Sequence, residues 1–265
     1  MKAPLLLRLT FLAGTTIGCA AVYPEIAPPL KSPPAGRKLA PPPPPDLLYI
    51  DFASAEIPPT TRDGRPWDSL GGSLPDPFAK LIVDNREIIK TPIQSDTLKP
   101  TWPDQKRANY WVSRNAEVRL EVWDSNTLTN HPICIKRLRD FHDQAGPIPL
   151  EVDCDSGAHI VIRVEPAHAR WGLGFNYELS SNGAAVSHVF PESPAARAGL
   201  KDGEEIVEIQ GKKVEAMEEG EAQSLVNANA QVGVDLLLRA KDGAERRVTI
   251  KEGTVYPAVD DGVPL

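Results

Sequence analysis

From Leu47 onward the chain is written in short apolar runs separated by Gly, Pro, Asn and Asp. The clearest run alternates Val118, Leu120 and Val122 with Glu117, Arg119 and Glu121, the period of two expected when one strand face is buried and the other is wet. The same texture predicts strands over 47–53, 78–83, 86–91, 110–113, 117–123, 133–138, 148–152 and 159–164, with no helical pattern among them. Many short strands joined by turn residues over about 120 residues argue for an antiparallel sandwich.

Past residue 168 the pattern becomes mixed. Strands are predicted over 175–179, 185–189, 205–211, 234–240 and 246–251. Between them, Ser193 as N-cap, Pro194 at the first helical position and Gly199 as terminator read as a short helix. A second helix is expected over 218–230, with Ala222, Leu225, Val226 and Asn229 facing inward. Asp242-Gly243 supplies the positive φ of a hairpin turn.

The region before Leu47 has another character. Residues 24–45 hold 10 of the 27 prolines, five of them consecutive at 41–45. That composition favours the polyproline II form at ~3.1 Å per residue, a tether reaching about 70 Å, or else a ligand for aromatic grooves. It is not expected to join a packed core. Upstream, Lys2 and Arg8 accompany an apolar run over 5–13, too short to span a bilayer. The step Thr16-Ile17-Gly18-Cys19 resembles a bacterial lipoprotein signal, although Thr16 stands where that family prefers Leu; an ordinary secretory leader is the alternative.

The lipoprotein resemblance implies removal of residues 1–18, lipidation of Cys19 with palmitate among the acyl chains, and a linker over 19–45. Anchoring at ~0.8 kcal/mol per buried methylene would hold the chain on a membrane of the bacterial cell envelope. Ala20 and Ala21 offer no Asp-type retention signal, which favours the outer membrane, facing the periplasm. The 29 basic and 36 acidic residues give −7, and −9 once the leader is gone. No basic block exceeds two residues, so nucleic acid is excluded as a partner. Cys134 and Cys154 remain as an even pair in a compartment where disulfides persist, expected either to bridge or to stay as thiols in adjacent strands.

Asp68, the run 71–78 (Gly-Gly-Ser-Leu-Pro-Asp-Pro-Phe), Thr97-Leu98-Lys99-Pro100-Thr101-Trp102 and Val122-Trp123-Asp124-Ser125-Asn126 resemble a C2 domain over 46–166. The resemblance implies a β-sandwich with a possible calcium site, Asp68 and Asp76 from one loop and Asp124 from another. Calcium takes six to eight hard oxygens. Asn126 replaces the family's second loop Asp, and no acidic residue follows from Ser125 to Pro132. The set Asp68, Asp76, Asp124 and Asn126 would hold one weak ion; otherwise these side chains cap turns.

Trp171-Gly172-Leu173-Gly174-Phe175, followed by the Ser193-Pro194 helix and the later strands, resembles a PDZ domain over 168–253, leaving an acidic tail at 254–265. PDZ domains take a partner's C-terminal peptide as an added strand. The task needs backbone N–H groups converging on a carboxylate, which glycines permit. Gly172, Leu173, Gly174 and Phe175 would then form the carboxylate loop, Asn176 and Tyr177 the pairing strand, and Gly220 or Glu221 with Leu225 the helical wall. Neither Gly220 nor Glu221 is His, so the common preference for Ser or Thr in the ligand is not implied. The tail ending Val263-Pro264-Leu265 is itself the kind of peptide such a groove accepts, in its own groove or a neighbour's, although Pro264 lacks an N–H for pairing.

Catalytic machinery is absent from the sequence. There is no G-x-S-x-G, no P-loop, and no zinc spacing among His131, His142, His159, His168 and His188. The expected molecule is mainly β: a C2-like antiparallel sandwich, then a small PDZ barrel with two helices. The expected role is a non-catalytic scaffold or adaptor that binds a protein C-terminus, attached to the membrane by its lipid, with no required cofactor. The alternatives are a calcium-dependent lipid- or protein-binding C2 function and regulation of an envelope protease.

Overall fold

The computed structural model describes residues 25–67, 73–105, 107–180, 183–218, 220–260 and 263–264. Cys19 and Asp68 lie outside them. The fold is mostly β, with 43% strand and 9% helix. A two-residue strand, β1 (Glu25–Ile26), precedes eight longer ones. These are β2 (Leu47–Glu56), β3 (Pro77–Val83), β4 (Arg86–Lys90), β5 (Ala108–Trp111), β6 (Val118–Asp124), β7 (His131–Leu138), β8 (Leu150–Asp153) and β9 (His159–Pro166).

The eight strands form two antiparallel sheets in the orders β5-β2-β9-β8 and β4-β3-β6-β7. The period-two pattern places Ile50 and Phe52 of β2, Leu120 and Val122 of β6, and Ile160 and Ile162 of β9 in the layer between them. Burial of this face drives the sheets together. Trp102 fills the same layer, and its indole N–H donates to the Pro92 carbonyl at 3.1 Å. Of the two states open to the cysteines, the bridge is the one present: Cys134 of β7 is bonded to Cys154, just past β8, with Cα atoms 5.7 Å apart. It joins one sheet to the other.

The second half contains β10 (Arg170–Gly172), β11 (Phe175–Ser180), β12 (Gly183–Val189), α1 (Pro194–Arg197), β13 (Glu205–Ile209), β14 (Lys212–Lys213), α2 (Glu221–Asn229), β15 (Val234–Arg239), β16 (Glu245–Ile250) and β17 (Gly253–Val255). One sheet runs β1-β11-β12-β13-β15-β16, with β14 on β13, while β10 and β17 make a separate ribbon. Helix α2 starts at Glu221 rather than 218, because Gly220 at φ 77° stands outside helical space. Two short strands, β18 (Val259–Asp260) and β19 (Val263–Pro264), end the chain.

From Val255 the chain turns back to the sandwich, where Tyr256 and Ala258 pack on Leu47 and Ala167, and Asn109 Nδ2 donates to the Pro257 carbonyl at 2.7 Å. Leu265, the residue that the tail expectation puts in a groove, lies outside the described residues. The expectation of a free proline-rich spacer is corrected. Pro28 is buried, the Arg37 guanidinium lies 5.6 Å from the centre of the Trp171 ring, and Tyr256 Oη donates to the Pro41 carbonyl at 2.9 Å. An extended proline-rich chain has no internal hydrogen bonds, so its carbonyls and remaining N–H groups are free to be taken by a sheet edge.

Candidate functional site

The loop between β10 and β11 is built around Gly174. Its φ is +81°, and a Cβ there would lie 2.2 Å from the Ser193 Cβ, so no other residue fits. Ser193 binds the loop to α1: its Oγ donates to the Gly174 carbonyl at 3.0 Å and accepts from the Ala196 N–H at 3.1 Å as the N-cap. The Ala195 N–H donates to the Leu173 carbonyl and the Phe190 N–H to the Gly174 carbonyl, both at 3.0 Å. With those carbonyls held inward, planar trans peptides turn the N–H groups of Gly174 and Phe175 the opposite way. Leu173 and Phe175 are themselves buried in the core beneath.

Strand β11 supplies the edge beside this loop. Asn176 and Tyr177 are both buried, and the Tyr177 phenol, enclosed without a hydrogen-bond partner, is pushed up to about 12 by burial. The edge is not bare. Strand β1 pairs with it antiparallel, Glu25 opposite Glu178 and Ile26 opposite Tyr177. The chain then continues past the loop, and Lys31 exchanges backbone hydrogen bonds with Trp171 at 2.9 and 2.8 Å. Leu30 sits so close to Gly172 that a Cβ there would meet Leu30 Cδ2 at 2.6 Å.

On the helical wall, Leu225 packs against the PDZ-side core. Glu221 is turned toward β14. Lys212 Nζ, 2.5 Å from its Oε1, and the Glu218 N–H hold its carboxyl below the usual carboxylate value. The residues that line the groove end with Pro28 and Leu173 are instead Asn227, Ala230 and Glu252, which the sequence reading did not single out. Asn227 and Ala230 are one helical turn apart, a spacing visible in the sequence once the groove face is known. Lys31 Nζ is 2.6 Å from Glu252 Oε1, and that carboxylate is only 6% exposed.

At the loop end of the sandwich, Asp124 is fully buried. Its Oδ1 accepts the Asp76 N–H at 2.8 Å and its Oδ2 accepts Asn126 Nδ2 at 2.9 Å. Asp76 Oδ1 in turn accepts the Asp96 N–H at 2.7 Å. The structure brings Asp76, Asp124 and Asn126 together as loop-fastening groups. Among the described residues no cluster of three or more His, Cys, Asp or Glu is arranged to hold a metal ion. Asp68, the fourth member of the expected set, lies outside the described residues.

A C2 domain model matches residues 60–139 and a PDZ domain model residues 161–239. The chain carries a C2 domain followed by a PDZ domain. No curated protein matches it. Among solved structures it is similar to the calcium-bound tandem C2 domains, A and B, of extended synaptotagmin 2, at 17% identity over 48% of each chain and a TM-score of 0.37. It thus spans about half the length of that structure. The A-type C2 domain of plant extended synaptotagmin 1 matches at 15% identity over 47% of this chain and 98% of that one, TM-score 0.36. A further structure of the extended synaptotagmin 2 tandem C2 domains matches at 12% identity over 87% and 86%, TM-score 0.38.

Proposed function

We propose that this protein is a non-catalytic, lipid-anchored adaptor of the bacterial cell envelope that holds partner proteins by their C-termini in its PDZ groove. The observation that supports this most is strand addition at β11. An extended segment runs antiparallel to that strand and toward the Gly172–Phe175 loop. A C-terminal peptide entering with the same polarity would bring its carboxylate to the outward N–H groups of Gly174 and Phe175. Membrane attachment through Cys19 places the groove at a surface, and among the described residues no helix is long and apolar enough to cross a membrane.

The test is binding of peptides with free C-termini, against the same peptides amidated, to the full mature chain and to its Ile26→Asp variant. Micromolar binding that amidation abolishes supports a carboxylate-reading groove. Binding that survives amidation overturns it. Replacing Cys19 by Ser should release the protein from membranes, and retention of that variant would remove the lipid anchor from the reading.

A further inference from the structure

The groove that the proposed function assigns to a partner is filled by the chain itself. We propose that residues 25–31 are a resident ligand of the PDZ groove, a latch that an outside peptide must displace; this regulation rests on the peptide-binding reading above. The segment meets both the strand edge and the loop of the groove. Its first two residues extend the β11 edge, Leu30 lies against Gly172, and Lys31 bridges to β10. Ser187 Oγ of the neighbouring strand donates to Glu25 Oε1 at 2.5 Å.

One end of the latch is electrostatic. Glu252 is almost enclosed, while Lys31, its partner at 2.6 Å, is 48% exposed. Withdrawal of the segment separates this pair and opens both groups to water, so the docked state is favoured by the ion pair while a charge reversal at either member opposes docking. The Lys31–Glu252 pair and the backbone bridge between Lys31 and Trp171 together tie the segment's far end to the domain.

The fit is also incomplete, which marks the segment as exchangeable rather than as a permanent strand. Pro28 and Pro29 have no N–H to give, so the ladder breaks between Ile26 and Lys31. A cavity of about 160 Å³ remains where Pro28, Pro29 and Lys31 face Leu173, Asn227, Ala230 and Glu252. A peptide with an unbroken ladder and a side chain to fill that space would pair better. The resident segment holds its place by being covalently attached, at an effective concentration of order mM for a short connection.

On the lipid-anchored reading, release also changes reach. With the segment docked, six residues separate Cys19 from Glu25, about 20 Å at ~3.3 Å per residue. Once it is free and Arg37 still rests on Trp171, 18 residues separate Cys19 from Arg37, about 60 Å. Capture of a partner would lengthen the leash.

The experiment uses the full mature chain and, as probe, a labelled peptide of residues 24–32 with both ends blocked. Probe affinity and amide hydrogen exchange are followed in wild type, Lys31→Glu, Ile26→Asp and the Lys31→Glu/Glu252→Lys charge swap. In Lys31→Glu and Ile26→Asp the probe should bind at least ~10-fold more tightly than in wild type, and β11-edge amides with Trp171 should exchange at least ~10-fold faster, with β13 and β15 unchanged. The swap should restore slow exchange and refuse the probe. Unchanged affinity and exchange in both single variants overturns the proposal. So does loss of protection throughout β13 and β15, which would make the segment an integral part of the fold. Because the probe is an internal segment with no free carboxylate, its binding does not depend on C-terminal recognition. If it binds and no free C-terminus ever competes, the latch stands and the proposed function fails.

Discussion

The loop end of the sandwich and the groove of the PDZ domain are the two places where each domain's family resemblance puts binding, and in this chain both are occupied from within. They differ in where the occupant comes from. Asp124 is bonded to Asp76 and Asn126 and so fastens loops of its own sandwich. The β11 edge is paired by Glu25 and Ile26, which lie far away in sequence. Groups satisfied by their own loops are part of the fold and are lost only with it. A surface satisfied by a remote, proline-broken segment can be vacated while the domain stays folded, because the buried core is built from the domain's own residues and Ile26 of the segment packs only at its margin.

The largest test of this contrast is reduction of the Cys134–Cys154 bridge, which closes a loop of about 20 residues between the two sheets. In the chain-entropy view such a link contributes about 3 kcal/mol. Reduction, or Cys134→Ala with Cys154→Ala, should lower the unfolding stability of the sandwich by that order in denaturant titration. Exchange at the β11 edge should not change. A parallel loosening of the groove would mean that the two regions unfold as one and that the contrast is false.

Next comes Asp124→Ala. It removes a buried carboxylate that accepts from the half-buried Asp76 N–H and Asn126 amide, a loss of roughly 1–3 kcal/mol. The loss should be the same with calcium and with a chelator. A variant as stable as wild type in chelator but unable to gain stability from calcium would reassign Asp124 from loop fastener to metal ligand.

The residues behind these two tests were unequally legible. Alternation located the strands because each has one buried face, and the register that buries Val118, Leu120 and Val122 also buries Asp124, two residues further along. Gly174 and the Ser193-Pro194 step were readable because their geometry is local: a positive φ and an N-cap leave marks in neighbouring residues. Strand β1 left none. Two paired residues have no period, prolines on both sides argue for a linker, and the partner strand lies more than 140 residues downstream. Glu252 and Asn227 were equally hidden, since a polar residue that lines a groove looks in sequence like one that faces water.

A smaller effect separates the two glycines of the carboxylate loop. Gly174→Ala collides with Ser193 inside the domain, whereas the Cβ of Gly172→Ala meets the tip of Leu30 and the Pro29 carbonyl, at 2.6 and 3.4 Å, both belonging to the docked segment. Gly172→Ala should therefore leave PDZ unfolding within about 1 kcal/mol of wild type while speeding exchange at Trp171 and the β11 edge. Thermal melting and exchange measured on one sample check both halves. Equal destabilisation by the two substitutions would show that the loop and the segment form one inseparable unit.

The smallest expected effect belongs to His159, at the start of β9, another locally satisfied group of the sandwich. Its Nδ1 is 2.8 Å from Asp153 Oδ1, its Nε2 is 3.8 Å from Glu151 Oε2, and Glu56 is its neighbour across β2. The hydrogen bond to Asp153 raises its pKa above the ordinary 6.5 against the opposing cost of burial, with Asp153, Glu151 and Glu56 adding smaller attractions. A raised folded-state pKa means that the imidazolium favours the folded form. The contribution is fully present below about pH 6.5, the unfolded value. It fades as pH rises through the raised folded value. Because the ring is about a third exposed, the pair is worth only ~0.2–1 kcal/mol. Stability of the sandwich should thus fall by that amount from pH 5.5 to 8, and His159→Gln should remove His159's part of this slope. Two readouts in one titration bear on the contrast, since exchange at the β11 edge should show no change attributable to His159. If His159→Gln altered that exchange as well, protons on the sandwich would be felt in the groove, and the two regions could no longer be treated as separately satisfied.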